Sequence, residues 1–155
     1  MSVNIGDVAP DFTLMSSEKE QIKLSNYEGK NVVLLFFPLA FTGVCTTELC
    51  NMRDDIASYN NLDAEIIGVS VDSFFTLGKF KEEQKLNFTL ISDFNKEVSR
   101  SYGAYYEEFF GMRGVSKRSA FVIDKAGKIQ YAEVLEDAGE LPNFVKVKET
   151  LTSLN

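Results

Sequence analysis

Two cysteines, Cys45 and Cys50, are the only thiols in the chain. Both fall within Phe36-Phe37-Pro38-Leu39-Ala40-Phe41-Thr42-Gly43-Val44-Cys45-Thr46-Thr47-Glu48-Leu49-Cys50. A thiol does chemistry as its thiolate, and a helix N-terminus favours that anion through its free N–H groups and its dipole. Cys45 follows Pro38 and Thr42 at a spacing that puts it in the first turn of a helix beginning near residue 43. Thr42, three residues earlier, suits the N-cap: its oxygen can accept a backbone N–H while its hydroxyl proton stays available to a substrate oxygen. Pro38 carries no N–H and is suited to ending a strand, fixing the turn and shielding the sulfur. Each residue also has a plainer reading. Cys45 can be a small buried hydrophobe, Thr42 only a cap, and Pro38 only a strand terminator.

The elements that must position these residues follow from patterning. Val32-Val33-Leu34-Leu35-Phe36-Phe37 is apolar at every position, as a strand buried on both faces of a parallel sheet requires. Cys45, Leu49, Met52, Ile56 and Tyr59 recur at helical steps, predicting an amphipathic helix over 43–60 that turns Cys45 toward the protein body. Glu65–Val71 is a second buried strand, which completes a βαβ unit. A helix over roughly 73–86, capped by Asp72 or Ser73 and carrying Gly78, comes next. Phe88–Ser92 reads as a short strand and Asn95–Tyr102 as a short helix ended by Gly103. Tyr105–Arg113 is aromatic, acidic and irregular. Arg118–Asp124 and Lys128–Leu135 form a hairpin over Asp124–Gly127. A C-terminal helix, with apolar positions Phe144, Val147, Leu151 and Leu154, opens at Asn143 or Pro142. A weaker hairpin, Asp11–Met15 with Gln21–Leu24, precedes all of these. The sum is one α/β domain over 1–155: three layers, a mixed central sheet flanked by helices, and an N-terminal hairpin, as in the thioredoxin-like fold.

Composition narrows the chemistry. The 155 residues contain no histidine, which excludes Ser-His-Asp and Cys-His catalysis and histidine-ligated metals. Two cysteines alone supply neither a four-thiolate zinc site nor an iron–sulfur cluster, so no metal or cofactor is expected. A net charge of −7 argues against a nucleic-acid surface. No apolar run reaches the ~20 residues of a membrane helix. The opening Met1–Asp7 lacks the pattern of a secretory leader, so a cytoplasmic location is expected. There, paired cysteines are more often redox-active than structural.

Taken together, Pro38-x-x-x-Thr42-x-x-Cys45 resembles the active-site signature of the peroxiredoxins (AhpC/TSA family), thiol-dependent peroxidases on a thioredoxin-like fold. Three further segments share the resemblance in order: Ile5–Phe12, Gly68–Asp72, and Gly114–Arg118 with Phe121–Asp124. The resemblance implies that Cys45 attacks hydrogen peroxide or an organic hydroperoxide and becomes a sulfenic acid. It implies that Thr42 hydrogen-bonds the peroxide, and that Arg118 favours the thiolate and stabilises the leaving oxygen. Glu48 would orient Arg118. Read without the resemblance, Arg118 is a strand-end surface arginine and Glu48 an acid favoured near a helix start.

Cys50 raises a geometric question. Five helical residues rise ~7.5 Å and turn ~140°, which sets the two Cα atoms about 8–9 Å apart. A disulfide needs ~7 Å or less, so a Cys45–Cys50 bridge requires the first turns of the helix to unwind. The spacing resembles the Q subgroup (bacterioferritin comigratory proteins), in which such a cysteine resolves the sulfenic acid. Phe37–Gly43 instead resembles the alkyl hydroperoxide reductase E type, which often lacks that cysteine. The implied cycle is an intramolecular Cys45–Cys50 disulfide reduced by a thioredoxin- or glutaredoxin-type donor, in a chain able to form a homodimer. The alternative is a one-cysteine cycle recycled by an external thiol, with Cys50 incidental. Two other classes stand against these. One is a protein thiol–disulfide oxidoreductase, disfavoured by the lack of Cys-x2-Cys. The other is a non-enzymatic holdase or binding module using the aromatic run Tyr105–Phe110.

Overall fold

The computed structural model describes residues 3–155. Met1 and Ser2, part of the segment read for a leader, lie outside the described residues. The centre of the fold is strand β3 (Asn31–Phe36), buried at every position. Its side chains alternate between two cores. Val33 and Leu35, followed by Phe37, pack with Cys45, Leu49, Phe80, Val147 and Leu151. Val32, Leu34 and Phe36 pack with Phe12, Tyr102 and Phe121 on the opposite face. The unbroken apolar run therefore reflects a strand covered on both sides. Each large side chain so buried contributes about 1.5–3 kcal/mol.

Around β3 lie β1 (Thr13–Ser16), β2 (Gln21–Lys23), β4 (Ala64–Ser70), β5 (Thr89–Ser92), β8 (Ser119–Ile123) and β9 (Ile129–Val134), in the order β2-β1-β5-β4-β3-β8-β9. Strands β3, β4 and β5 run parallel, with Val33 opposite Ile66 and Val69 opposite Ile91. β8 is antiparallel to β3, pairing Leu34 with Phe121, and β9 returns beside β8. β1 joins β5 antiparallel and carries β2 at the sheet edge. The N-terminal hairpin and the mixed sheet expected from patterning are both present. Gly127, at φ +84°, supplies the turn between β8 and β9.

The helix expected over 43–60 is two helices. α1 spans Gly43–Asp54 and α2 spans Ile56–Asn60. Asp55 breaks them at φ −109°, ψ 12°. Its carboxylate accepts from the Ser58 hydroxyl at 2.7 Å and pairs with Lys148 of helix α5 (Phe144–Leu154). Helix α3 (Phe74–Gln84) is capped by Ser73, which accepts from the Thr76 N–H at 3.2 Å. Its Gly78 lies where an added Cβ would meet the Ser17 carbonyl at 3.3 Å, so the helix packs closely there. α4 is shorter than expected, Glu97–Ser101. The segment read as irregular begins with β6 (Tyr105–Tyr106), which pairs antiparallel with β7 (Val115–Ser116) just beyond it. Asn143 opens α5 by accepting from the Lys146 N–H at 3.1 Å.

Candidate active site

β3 ends at a corner that delivers α1 to the sheet's C-terminal edge, the usual place for a site in an open α/β sheet. Pro38 is buried at this corner. The following loop is held from the neighbouring strand. The Ala40 N–H donates to Asp72 Oδ2 at 2.8 Å, and the Ser70 hydroxyl donates to the same oxygen at 2.6 Å. Phe41 sits at φ +65°, unusual for a bulky residue, with its ring 5.1 Å from that of Phe80.

Thr42 occupies the N-cap of α1, as expected, but its side chain caps no amide. Its hydroxyl donates to the Leu39 carbonyl at 2.8 Å. The proton expected to be free for substrate is thus engaged in the loop, and the hydroxyl must rotate to donate elsewhere. Because Thr42 accepts no N–H, the amides of the first helical turn stay without a side-chain partner. Cys45 lies in that turn and is 1% exposed.

Arg118 comes to the sulfur from just ahead of β8. Its Nη2 donates to Cys45 Sγ at 3.2 Å, and its Nη1 donates to Glu48 Oε1 at 2.7 Å. Nε and Nη2 also donate to the Ala138 carbonyl, at 3.1 and 3.0 Å. Arg118 is therefore no surface residue: only 2% of it is exposed, and Glu48 is fully buried beside it. Glu48 stands beyond the first turn of α1, so its position answers to Arg118 and not to the helix start. Burial works against the Arg118 charge, but Glu48 and Cys45 outweigh it and hold the guanidinium firmly protonated. Burial pushes the Glu48 carboxyl up to about 7, with Arg118 pulling the other way. The free oxygen explains the direction: Glu48 Oε2 is buried without a hydrogen-bond partner.

Cys45, Glu48 and Arg118 thus form one connected, buried cluster. Cys50 stands apart from it. It is half-buried, and its thiol donates to Gln84 Oε1 at 3.4 Å. Both cysteines are free thiols. Two participants escaped the sequence reading. The sequence offers Asp72 as a cap for α3, although its place after a parallel strand beside β3 points to the site. Ala138 acts through its backbone and leaves no signal in residue type. Among the described residues, no group of three or more His, Cys, Asp or Glu side chains stands close enough to hold a metal.

This arrangement, a cysteine in the first turn of a helix with a buried arginine on its sulfur, agrees with what residues 5–132 show in comparison with known families: they match the AhpC/TSA family. The chain belongs to the AhpC/TSA family. It is 42% identical over 131 residues to peroxiredoxin Bcp of Bacillus subtilis, covering 83% of each chain. It is 38% identical over 142 residues to alkyl hydroperoxide reductase E of Mycobacterium tuberculosis, covering 90% of each. Among solved structures, peroxidoxin BcpB from Mycobacterium tuberculosis superposes with a TM-score of 0.86 at 29% identity, over 97% of both chains. A peroxiredoxin-like protein from Aquifex aeolicus superposes at 0.90 and 25% identity, over all of this chain and 90% of its own. The thioredoxin-like fold expected from patterning is the fold of these neighbours. The relatives include both types that the sequence resembles.

Proposed function

We propose that Cys45 carries the reaction of this thiol-dependent peroxidase, and that Arg118 is its electrostatic partner. The observation that carries the assignment is the 3.2 Å bond from Arg118 Nη2 to Cys45 Sγ inside a buried cluster. The thiolate sulfur attacks one peroxide oxygen and the O–O bond breaks. The other oxygen leaves with the electron pair and takes up a proton. Sulfur is oxidised to a sulfenic acid, and the peroxide is reduced to water or an alcohol. Arg118 N–H groups lie where that charge develops, and fixed donors in a dry site stabilise it without reorganising. Glu48 and the Ala138 carbonyl position Arg118. Thr42, its hydroxyl swung from Leu39, donates to the bound peroxide, and buried Pro38 keeps water from the sulfur.

In this reading Cys50 resolves the sulfenic acid, and a thioredoxin- or glutaredoxin-type thiol reduces the resulting disulfide in the cytoplasm. The chain acts as a homodimer. Mass spectrometry after one equivalent of hydrogen peroxide tests the cycle. A loss of two hydrogen atoms linking Cys45 to Cys50 is expected, whereas a persistent sulfenic acid on Cys45 favours the one-cysteine cycle.

A further inference from the structure

The corner between β3 and α1 hangs on one carboxylate. Asp72 Oδ2 accepts from the Ala40 N–H at 2.8 Å and from the Ser70 hydroxyl at 2.6 Å, while the Ser92 hydroxyl donates to the Asp72 carbonyl at 2.5 Å. Asp72 therefore ties together the loop after β3, the end of β4 and the end of β5. It is not the cap of α3, a place that Ser73 fills. None of these bonds involves Cys45, Glu48 or Arg118.

The Ala40 N–H and the Leu39 carbonyl are the two ends of one planar peptide unit. Fixing the N–H on Asp72 fixes the direction of that carbonyl, and the carbonyl is the partner of the Thr42 hydroxyl at 2.8 Å. Between Ala40 and Thr42 the backbone turns at Phe41, φ +65°, which a bulky residue adopts only where its surroundings hold it. The Ala40 bond holds it from one side and the Phe80 ring from the other. Thr42 then closes the corner: its carbonyl accepts from the Thr46 N–H at 2.9 Å as α1 begins. A bond to a carboxylate is the strongest of these holds, so the place of Thr42 depends chiefly on Asp72.

We propose that Asp72 is a positioning residue for the peroxide-reducing step, acting through the Leu39–Ala40 peptide on Thr42. The proposal rests on the reading of Thr42 as the group that hydrogen-bonds the peroxide. Asp72 leaves the bond changes of that step as they are: the S–O bond forms and the O–O bond breaks. It sets the place from which the Thr42 hydroxyl meets the peroxide, a geometry in which small displacements slow a reaction steeply.

Two reactions of Cys45 separate this role from a general one. Oxidation by hydrogen peroxide, followed by stopped flow, needs Thr42. Alkylation by iodoacetamide, read on the Cys45 peptide by mass spectrometry, needs the thiolate but no group that binds a peroxide. In Asp72→Ala the oxidation is expected to slow about tenfold, with alkylation unchanged. Asp72→Asn keeps an acceptor oxygen and loses only the charge, and is expected to lie about threefold below wild type. In a Thr42→Val chain neither change at 72 is expected to slow oxidation further. If Asp72→Ala does not fold, Asp72→Asn carries the same comparison. If Thr42→Val is slow but the Asp72 variants oxidise at the wild-type rate or faster, lose alkylation in parallel, or multiply with Thr42→Val, the proposal is overturned and the role of Thr42 stands. If Thr42→Val itself oxidises at the wild-type rate, both fall.

Discussion

Helix α1 carries both cysteines, yet its two halves are built differently. The first half contains Cys45, Glu48 and Leu49, all essentially without solvent exposure. It is fixed by a guanidinium that bonds a thiol, a carboxylate and a carbonyl at once. The second half contains exposed Asn51 and Asp54 and half-buried Cys50 and Arg53. It is fixed by a weak thiol bond, by the single Arg53 guanidinium on the Gln84 carbonyl and by Met52 in the core. Charge-assisted bonds in a dry site are roughly twice as strong as neutral ones. A nucleophile must be held still against its stabilising donors, whereas a resolving thiol must travel. In the proposed cycle, one twelve-residue helix divides a fixed nucleophile and a travelling thiol along its length.

Removing the proposed nucleophile sets the largest contrast. Cys45→Ser is expected to abolish hydrogen peroxide consumption supported by dithiothreitol, while any residual thiol-dependent turnover would move the chemistry to the other half. Arg118→Ala comes next. The rate of the first oxidation, read by stopped-flow peroxide loss, is expected to fall by roughly 10²–10³. The same change leaves Glu48 buried without its cation, so denaturant unfolding should show a loss of about 3–5 kcal/mol. Wild-type stability in that variant would mean the pair contributes little to the rigid half.

In the second half of α1, Cys50→Ser is expected to accumulate a dimedone-reactive sulfenic acid and to lose thioredoxin-supported turnover. Turnover equal to wild type would remove Cys50 from the cycle. A smaller effect comes from the Glu48 carboxyl. Its pKa is raised by burial to about 7 in the folded chain, against an ordinary value of 4.5. The folded state therefore holds this proton more tightly than the unfolded state, and stability declines as pH rises from about 4.5 through 7. Urea unfolding of wild type beside Glu48→Gln should show this decline only in wild type, on the order of 1–3 kcal/mol. Parallel profiles would place the proton elsewhere.

Much of this division was legible in the sequence, and the failures have physical causes. The β3 run announced a doubly covered strand because no polar residue interrupts it. The series Cys45, Leu49, Met52 announced which face of α1 is buried. The same series hid the break at Asp55, since Ile56 and Tyr59 continue in phase and a backbone kink leaves periodicity nearly intact. The pairing of β6 with β7 was hidden because two-residue strands fall below any alternation pattern. Arg118 was found by resemblance, not by chemistry, because an arginine at a strand end is ordinarily exposed. Thr42 was placed correctly, but whether its hydroxyl serves an amide, a carbonyl or a substrate depends on a rotamer that no residue type encodes.

The Ala138 carbonyl, which accepts two of the Arg118 donors, bears on how this site tolerates change. Any side chain at 138 delivers the same oxygen, so alanine scanning will pass over the position and drift there will leave the enzyme intact. Only changes to the path of the backbone can displace it. Gly139→Pro, which removes the N–H now given to Asp137 Oδ1 at 2.8 Å, or loss of one residue between β9 and α5, would do so. Position 138 is thus free in spelling, and the segment that carries it is fixed in length.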